Sequence, residues 1–318
     1  MRRTAALALA LWILGTACTS SDGGVPSAAP SAPTFNAEVA SADLYVGTPQ
    51  RFLIGVLGGD ADGVRYLSYG RVDLTFAYLG DGGGAPAPGP TATAGYIGAP
   101  GTNIDGTAPT LTQPSEARGV YQAEDVTFDQ VGTWQVTVRA DVQGAGTAET
   151  TAAFPVADEP SQPAPGQKAL KTRNLTIGAK DDPASAIDSR AIDGAPIPDP
   201  DLHRWTIADA IFQGRPALVV FATPVYCTSE FCGPVVDAVE ELSMRYGDRA
   251  AFIHVEIWHD NAKGEINSAA ADWLFRNDDL REPWLYLIGA DGTILDRWGV
   301  LWDPREVGAE LRALPPLG

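Results

Sequence analysis

The hydrophobic period changes once along this chain, at the Pro-rich acidic stretch 157–166, and that change limits what each half can become. Upstream, apolar residues recur at every second position: Trp134, Val136 and Val138 alternate with Gln135, Thr137 and Arg139, after Val126-Thr127-Phe128 and a turn at 129–132. Alternation with one wet face predicts antiparallel strands buried on one side. Segments 44–46, 51–57 and 72–79 carry the same β-branched and aromatic composition. The stretch 80–117 breaks the pattern, and its Gly, Pro, Ala and Thr predict a mobile insertion with Tyr96-Ile97 as a short strand. Downstream the spacing becomes helical in places. Thr206 with Asp209 predicts a capped helix closed by Gly214, 217–222 a buried strand, and Val235, Val239, Leu242 and Tyr246 one face of a helix that begins near Pro234. Strands at 251–257 and 284–288, a helix capped by Asn267, a hairpin turn at 289–292 with its partner at 293–300, and a last helix opened by Asp303-Pro304 complete the order β-α-β-α-β-β-α.

The N-terminal residues predict the compartment. Arg2 and Arg3 precede an apolar run over 5–14 and the small residues Gly15-Thr16-Ala17, the layout of a secretory signal too short to span a bilayer as a helix. Leu14-Gly15-Thr16-Ala17-Cys18 resembles the lipobox of bacterial lipoproteins, which implies cleavage before Cys18 and its lipidation. The expected organisation is then a signal peptide at 1–17, a flexible tether at 18–34, a β-domain at 35–156, a linker at 157–168 and a second domain at 169–318. The protein is expected at the cell membrane, lipid-anchored on its extracytoplasmic face. With Arg2 and Arg3 removed, twenty Lys and Arg oppose forty Asp and Glu. That balance argues against nucleic acid as a partner and leaves the lipid on Cys18 as the membrane contact. Of the three Cys, Cys227 and Cys232 remain as a pair where disulfides persist.

Several short strands separated by turns predict an immunoglobulin-like sandwich for 35–156. Segments 119–121 and 132–136 resemble the last hairpin of small extracytoplasmic Ig-like modules. In the second half, Phe221-Ala222-Thr223-Pro224 runs toward Cys227, Cys232-Gly233-Pro234 opens a helix, Pro283 precedes a strand and Asp291-Gly292-Thr293-Ile294 forms a hairpin. These residues resemble the thioredoxin superfamily, which implies an α/β fold for 169–318, a cis-proline at Pro283 facing the cysteines, and a substrate groove shaped by Pro283, Gly233 and Pro234. The sequence departs from that family by a C-x4-C spacing, with Val235 at the usual second Cys, and by Glu282 before Pro283.

A cysteine in the first turn of a helix meets free backbone N–H groups and the positive end of the dipole, which selects Cys232 as nucleophile and Cys227 as resolving thiol. The expected activity is thiol–disulfide exchange with protein thiols and disulfides, with no cofactor and no metal. Three alternatives stand beside it. One is a binding or scaffold lipoprotein with a structural disulfide. Another is copper delivery, which would add one of His203, His254 or His259 to the thiols. The third is a peroxiredoxin-like reaction, for which Ser229, Pro224 and Arg281 are imperfectly placed. No phosphate loop, dinucleotide fingerprint or zinc spacing is present.

Overall fold

The computed structural model describes residues 34–60, 63–80, 85–102, 104–227, 231–276 and 279–317. Cys18, the signal segment and nearly all of the tether lie outside the described residues. None of the described helices is long and apolar enough to cross a membrane.

The first half is one antiparallel sheet of nine strands: β1 (Thr34–Val39), β2 (Gln50–Asp60), β3 (Gly63–Ser68), β4 (Arg71–Gly80), β5 (Ala87–Gly98), β6 (Thr110–Thr112), β7 (Gly119–Val126), β8 (Gly132–Val142) and β9 (Gly146–Val156). Its order is β6-β3-β2-β7-β5-β4-β8-β9, with β1 paired to β2. The expected Ig-like sandwich of two packed sheets is therefore incorrect. The reason is β5, which lies between β4 and β7 and hydrogen-bonds to both, so that what would be two sheets become one. The sheet curls until Thr150 on β9 donates to the Phe35 carbonyl on β1, 3.0 Å away. Its concave side encloses Phe52, Phe76, Phe128, Trp134 and Phe154, whose rings meet largely edge to face.

β5 also corrects the expectation of a mobile insertion at 80–117. Its residues are small because a large ring occupies the space above them. A Cβ on Gly89 would stand 2.5 Å from Trp134 Cζ3 and 3.0 Å from the Phe76 carbonyl oxygen. Small residues that permit this approach erase the apolar alternation by which a strand is ordinarily recognised.

The second half holds α1 (Ile207–Phe212), β10 (Ala217–Ala222), α2 (Cys232–Tyr246), β11 (Ala251–Glu256), β12 (Trp258–Asp260), β13 (Glu265–Ile266), α3 (Ser268–Leu274), β14 (Phe275–Arg276), β15 (Asp279–Leu280), β16 (Trp284–Ile288), β17 (Ile294–Gly299) and α4 (Pro304–Ala313). Strands β11-β10-β16-β17 form a four-stranded sheet, parallel between β10 and β11 and antiparallel elsewhere. The α/β thioredoxin-like fold expected for 169–318 is overturned by the element content. Among the described residues strands make up 42% and helices, 3-10 segments included, 18%, and of the four α-helices only α2 and α4 exceed seven residues. Between β11 and β16, where a full crossover helix would cover the sheet, the chain spends its length on α3 and the short pairs β12–β13 and β14–β15. The local signals in this half held better. Thr206 Oγ1 accepts from Asp209 N at 3.0 Å, Asp303 caps α4, and Val235, Val239, Leu242 and Tyr246 are buried along α2.

Residues Pro33–Gly318 form one compact unit. The Pro-rich stretch 157–168 does not stand free: Ala157 N donates to Leu44 O, Gly166 N to Ile294 O, and Lys168 bridges to Thr293. At the junction, Arg51 on β2 donates to Asp296 at 2.7 and 2.9 Å and to Glu306 at 2.7 Å, and its guanidinium lies 4.9 Å from the centre of the Trp298 ring. Arg297 pairs with buried Asp43 at 2.8 Å. Leu53 and Val120 of the curled sheet, with Ala99 just after β5, belong to the same apolar cluster as Val235, Trp298 and Cys232. The first half therefore braces the face of the second that carries the cysteines.

Candidate functional site

Strand β10 is buried along its whole length and delivers the chain to 223–227, while Pro234, which needs no N–H partner in a first helical turn, helps start α2. Cys227 and Cys232 are joined by a disulfide with Cα atoms 5.9 Å apart. Residues 228–230 between them are outside the described residues. The two sulfurs differ in environment. Cys232 is the first residue of α2 and fully buried, whereas Cys227 is half-buried and follows the exposed side chains of Val225 and Tyr226.

Glu282 completes the site. Its Oε2 lies 3.8 Å from Cys232 Sγ, and the two cysteines with Glu282 form one group of converging side chains. Burial, reinforced by the nearby charge of Glu256 and opposed by a backbone hydrogen bond from Thr223, pushes the Glu282 carboxyl up to about 7. It is therefore near half-protonation at neutral pH, as a group that gives or takes a proton requires.

The Glu282–Pro283 bond is cis, as expected. The Pro283 carbonyl is occupied by Val300 N at 2.9 Å. Gly233 sits beside Pro224, whose carbonyl oxygen would be 3.7 Å from a Cβ there, so the turn is open enough for a side chain. Of the three histidines, none joins the thiols. His259 lies against Asp182 at 3.1 Å, and His203 and His254 lie together in the interior. Glu282 stood out in the sequence only as an acidic residue where a neutral one was expected.

No family model matches the chain, and no curated protein matches it.

Proposed function

We propose that the protein is an extracytoplasmic thiol–disulfide oxidoreductase whose redox couple is Cys227–Cys232. The observation that carries the reading is the asymmetry of the pair: one cysteine is partly exposed and the other is fully buried at a helix N-terminus beside a carboxyl that burial raises to about 7. Burial exchanges the roles assigned from helix position alone, because an incoming thiolate must attack the sulfur it can reach.

In the exchange, a partner thiolate attacks Cys227 Sγ and the Cys227–Cys232 bond breaks. The electron pair goes to Cys232 Sγ, where the α2 N-terminus stabilises the leaving thiolate and protonated Glu282 supplies the proton. A second partner thiolate then attacks the partner sulfur of the mixed disulfide. Cys227 leaves as a thiolate, and the partner, now oxidised, carries the new disulfide. Run in reverse, the same steps reduce a partner. Exposed Val225 and Tyr226 beside Cys227 offer an apolar margin suited to a protein substrate rather than to a small ion. The lipobox resemblance at Cys18 supports a membrane-anchored location.

Mixed-disulfide trapping tests the reading. Cys232→Ser leaves Cys227 a free thiol without its resolving partner; its thiolate attacks partner disulfides, one partner sulfur leaving as thiolate, and the variant is expected to accumulate mixed disulfides with such partners, released by reductant. Cys227→Ser is expected to accumulate far fewer, because its remaining thiol is buried. Equal trapping by both variants refutes the division of roles, and no trapping by a folded Cys232→Ser protein refutes the activity.

A further inference from the structure

Behind the loop that carries Cys227 lies a buried cluster that thiol exchange does not use. Asp188, His203 and His254 come from a turn after the short 3-10 segment Ala184–Ala186, from the 3-10 segment Pro200–His203, and from the middle of β11. Their exposures are 0%, 0% and 1%, and one ligand atom from each lies within 4.8 Å of the others.

The hydrogen-bond roles of His254 can be assigned. Its Nε2 is 3.0 Å from the Ala222 carbonyl oxygen, which can only accept, so Nε2 carries the hydrogen and Nδ1 of the neutral ring holds a lone pair. That Nδ1 faces Asp188 Oδ2 at 3.4 Å, and His203 Nε2 faces the same oxygen at 3.4 Å. Neither nitrogen of His203, nor Nδ1 of His254, has a hydrogen-bond partner among the described residues. Buried groups left so cost on the order of 1–3 kcal/mol each. A spacing of 3.4 Å is long for an N–H···O bond, whose usual length is about 2.9 Å. It is the edge of a tetrahedron whose corners stand about 2.1 Å from its centre, the distance of nitrogen and carboxylate oxygen from zinc.

We propose that Asp188 Oδ2, His203 Nε2 and His254 Nδ1 bind a divalent first-row transition ion of the zinc type. The surroundings fit such an ion. Arg190 orients the carboxylate, with Nε on Oδ1 at 3.0 Å and Nη2 on Oδ2 at 2.8 Å, and is itself held by Asp199 at 2.7 Å. The Ala222 carbonyl fixes the His254 ring in the tautomer that presents Nδ1, as supporting groups do in metal sites. Buried Glu256 joins the cluster through Ser189, whose N–H donates to its Oε2 at 2.8 Å. Asp188, Asp199, Asp237 and Glu256 against Arg190 leave a net negative charge when both imidazoles are neutral, which a divalent ion offsets. The ion would also brace the thiol loop, since Ser189 Oγ accepts from Val225 N at 3.2 Å, two residues before Cys227.

The test uses the oxidised protein, in which the thiols cannot bind metal. Titration with Zn2+ is expected to show one equivalent retained through dialysis, and Co2+ to give visible ligand-field bands without a thiolate charge-transfer band. His203→Asn and His254→Asn are each expected to weaken binding at least about 100-fold, while Cys227→Ser/Cys232→Ser keeps it. Loss of the metal with the cysteines, or retention in both histidine variants, overturns the site. Should the histidine variants not fold, thermal denaturation of the unaltered protein decides. A higher midpoint with Zn2+ than with chelator supports the site, and identical midpoints overturn it. Failure here leaves the trapping result untouched, because no step of the exchange uses these residues.

Discussion

Replacing Glu282 by Gln should stabilise the protein at alkaline pH and leave it unchanged in acid. The Glu282 carboxyl, ordinarily near 4.5, is raised to about 7 by burial and by the charge of Glu256. The folded state therefore holds this proton more tightly than the unfolded chain does. Below pH 4.5 the group is protonated in both states and costs nothing. Between 4.5 and 7 the unfolded chain ionises first and stability falls. Above 7 the loss is complete, at about 3 kcal/mol for a shift of roughly 2.5 pH units. Gln keeps the shape and cannot ionise, so Glu282→Gln should match the unaltered protein at pH 4 and exceed it by about 3 kcal/mol at pH 8. For a folded unit of this size that is roughly 5–10 °C in the thermal midpoint. Denaturation of both oxidised proteins by calorimetry across pH 4–8 measures it. Parallel profiles, or a Gln variant less stable at pH 8, would show that the carboxyl is not held in a desolvated site, and the proton-donor role of Glu282 would fall with it.

Two further changes probe the frame around the site. Gly89→Ala should destabilise by about 1–3 kcal/mol, the usual cost of overpacking, because its Cβ would meet Trp134 and the Phe76 carbonyl. Ordinary strand statistics predict a neutral or favourable change, so an unchanged midpoint would refute this packing. Arg51→Ala leaves Asp296 and Glu306 facing one another without their shared cation. Side-chain exposures of 21–25% for the three residues place the cost below the 3–5 kcal/mol of a fully buried pair, at about 2 kcal/mol. Urea denaturation reads it, and a loss under about 0.5 kcal/mol would show that the junction is held by apolar contact alone.

Local signals in the sequence translated well where one residue type has one structural use. Thr206 and Asp303 cap helices, Cys232-Gly233-Pro234 opens one, and the apolar runs 217–222 and 284–288 are buried strands. Global arrangement was far less legible. A strand such as β5, made of Gly, Pro, Ala and Thr, is specified by the Trp134 ring packed over it, and its insertion decides between two sheets and one. The thioredoxin-like expectation generalised from a few motifs to a whole half of the chain. Those motifs do not specify how much chain lies in helices between β11 and β16. The site was half legible. The cysteine pair stands out by elimination, but which sulfur is reachable depends on the apolar cluster that covers Cys232. Asp188, His203 and His254 are separated by 15 and 51 positions, too far for any spacing rule. The one local hint was a histidine inside the otherwise apolar run 251–255.

If Cys227–Cys232 is a working redox couple, both cysteines convert together between about −270 and −120 mV, the range of known oxidoreductases. A redox titration of the purified protein, with free thiols alkylated and counted by mass spectrometry at each potential, reads this conversion. A disulfide that stays closed below about −300 mV would mark it as structural and rule out the oxidoreductase.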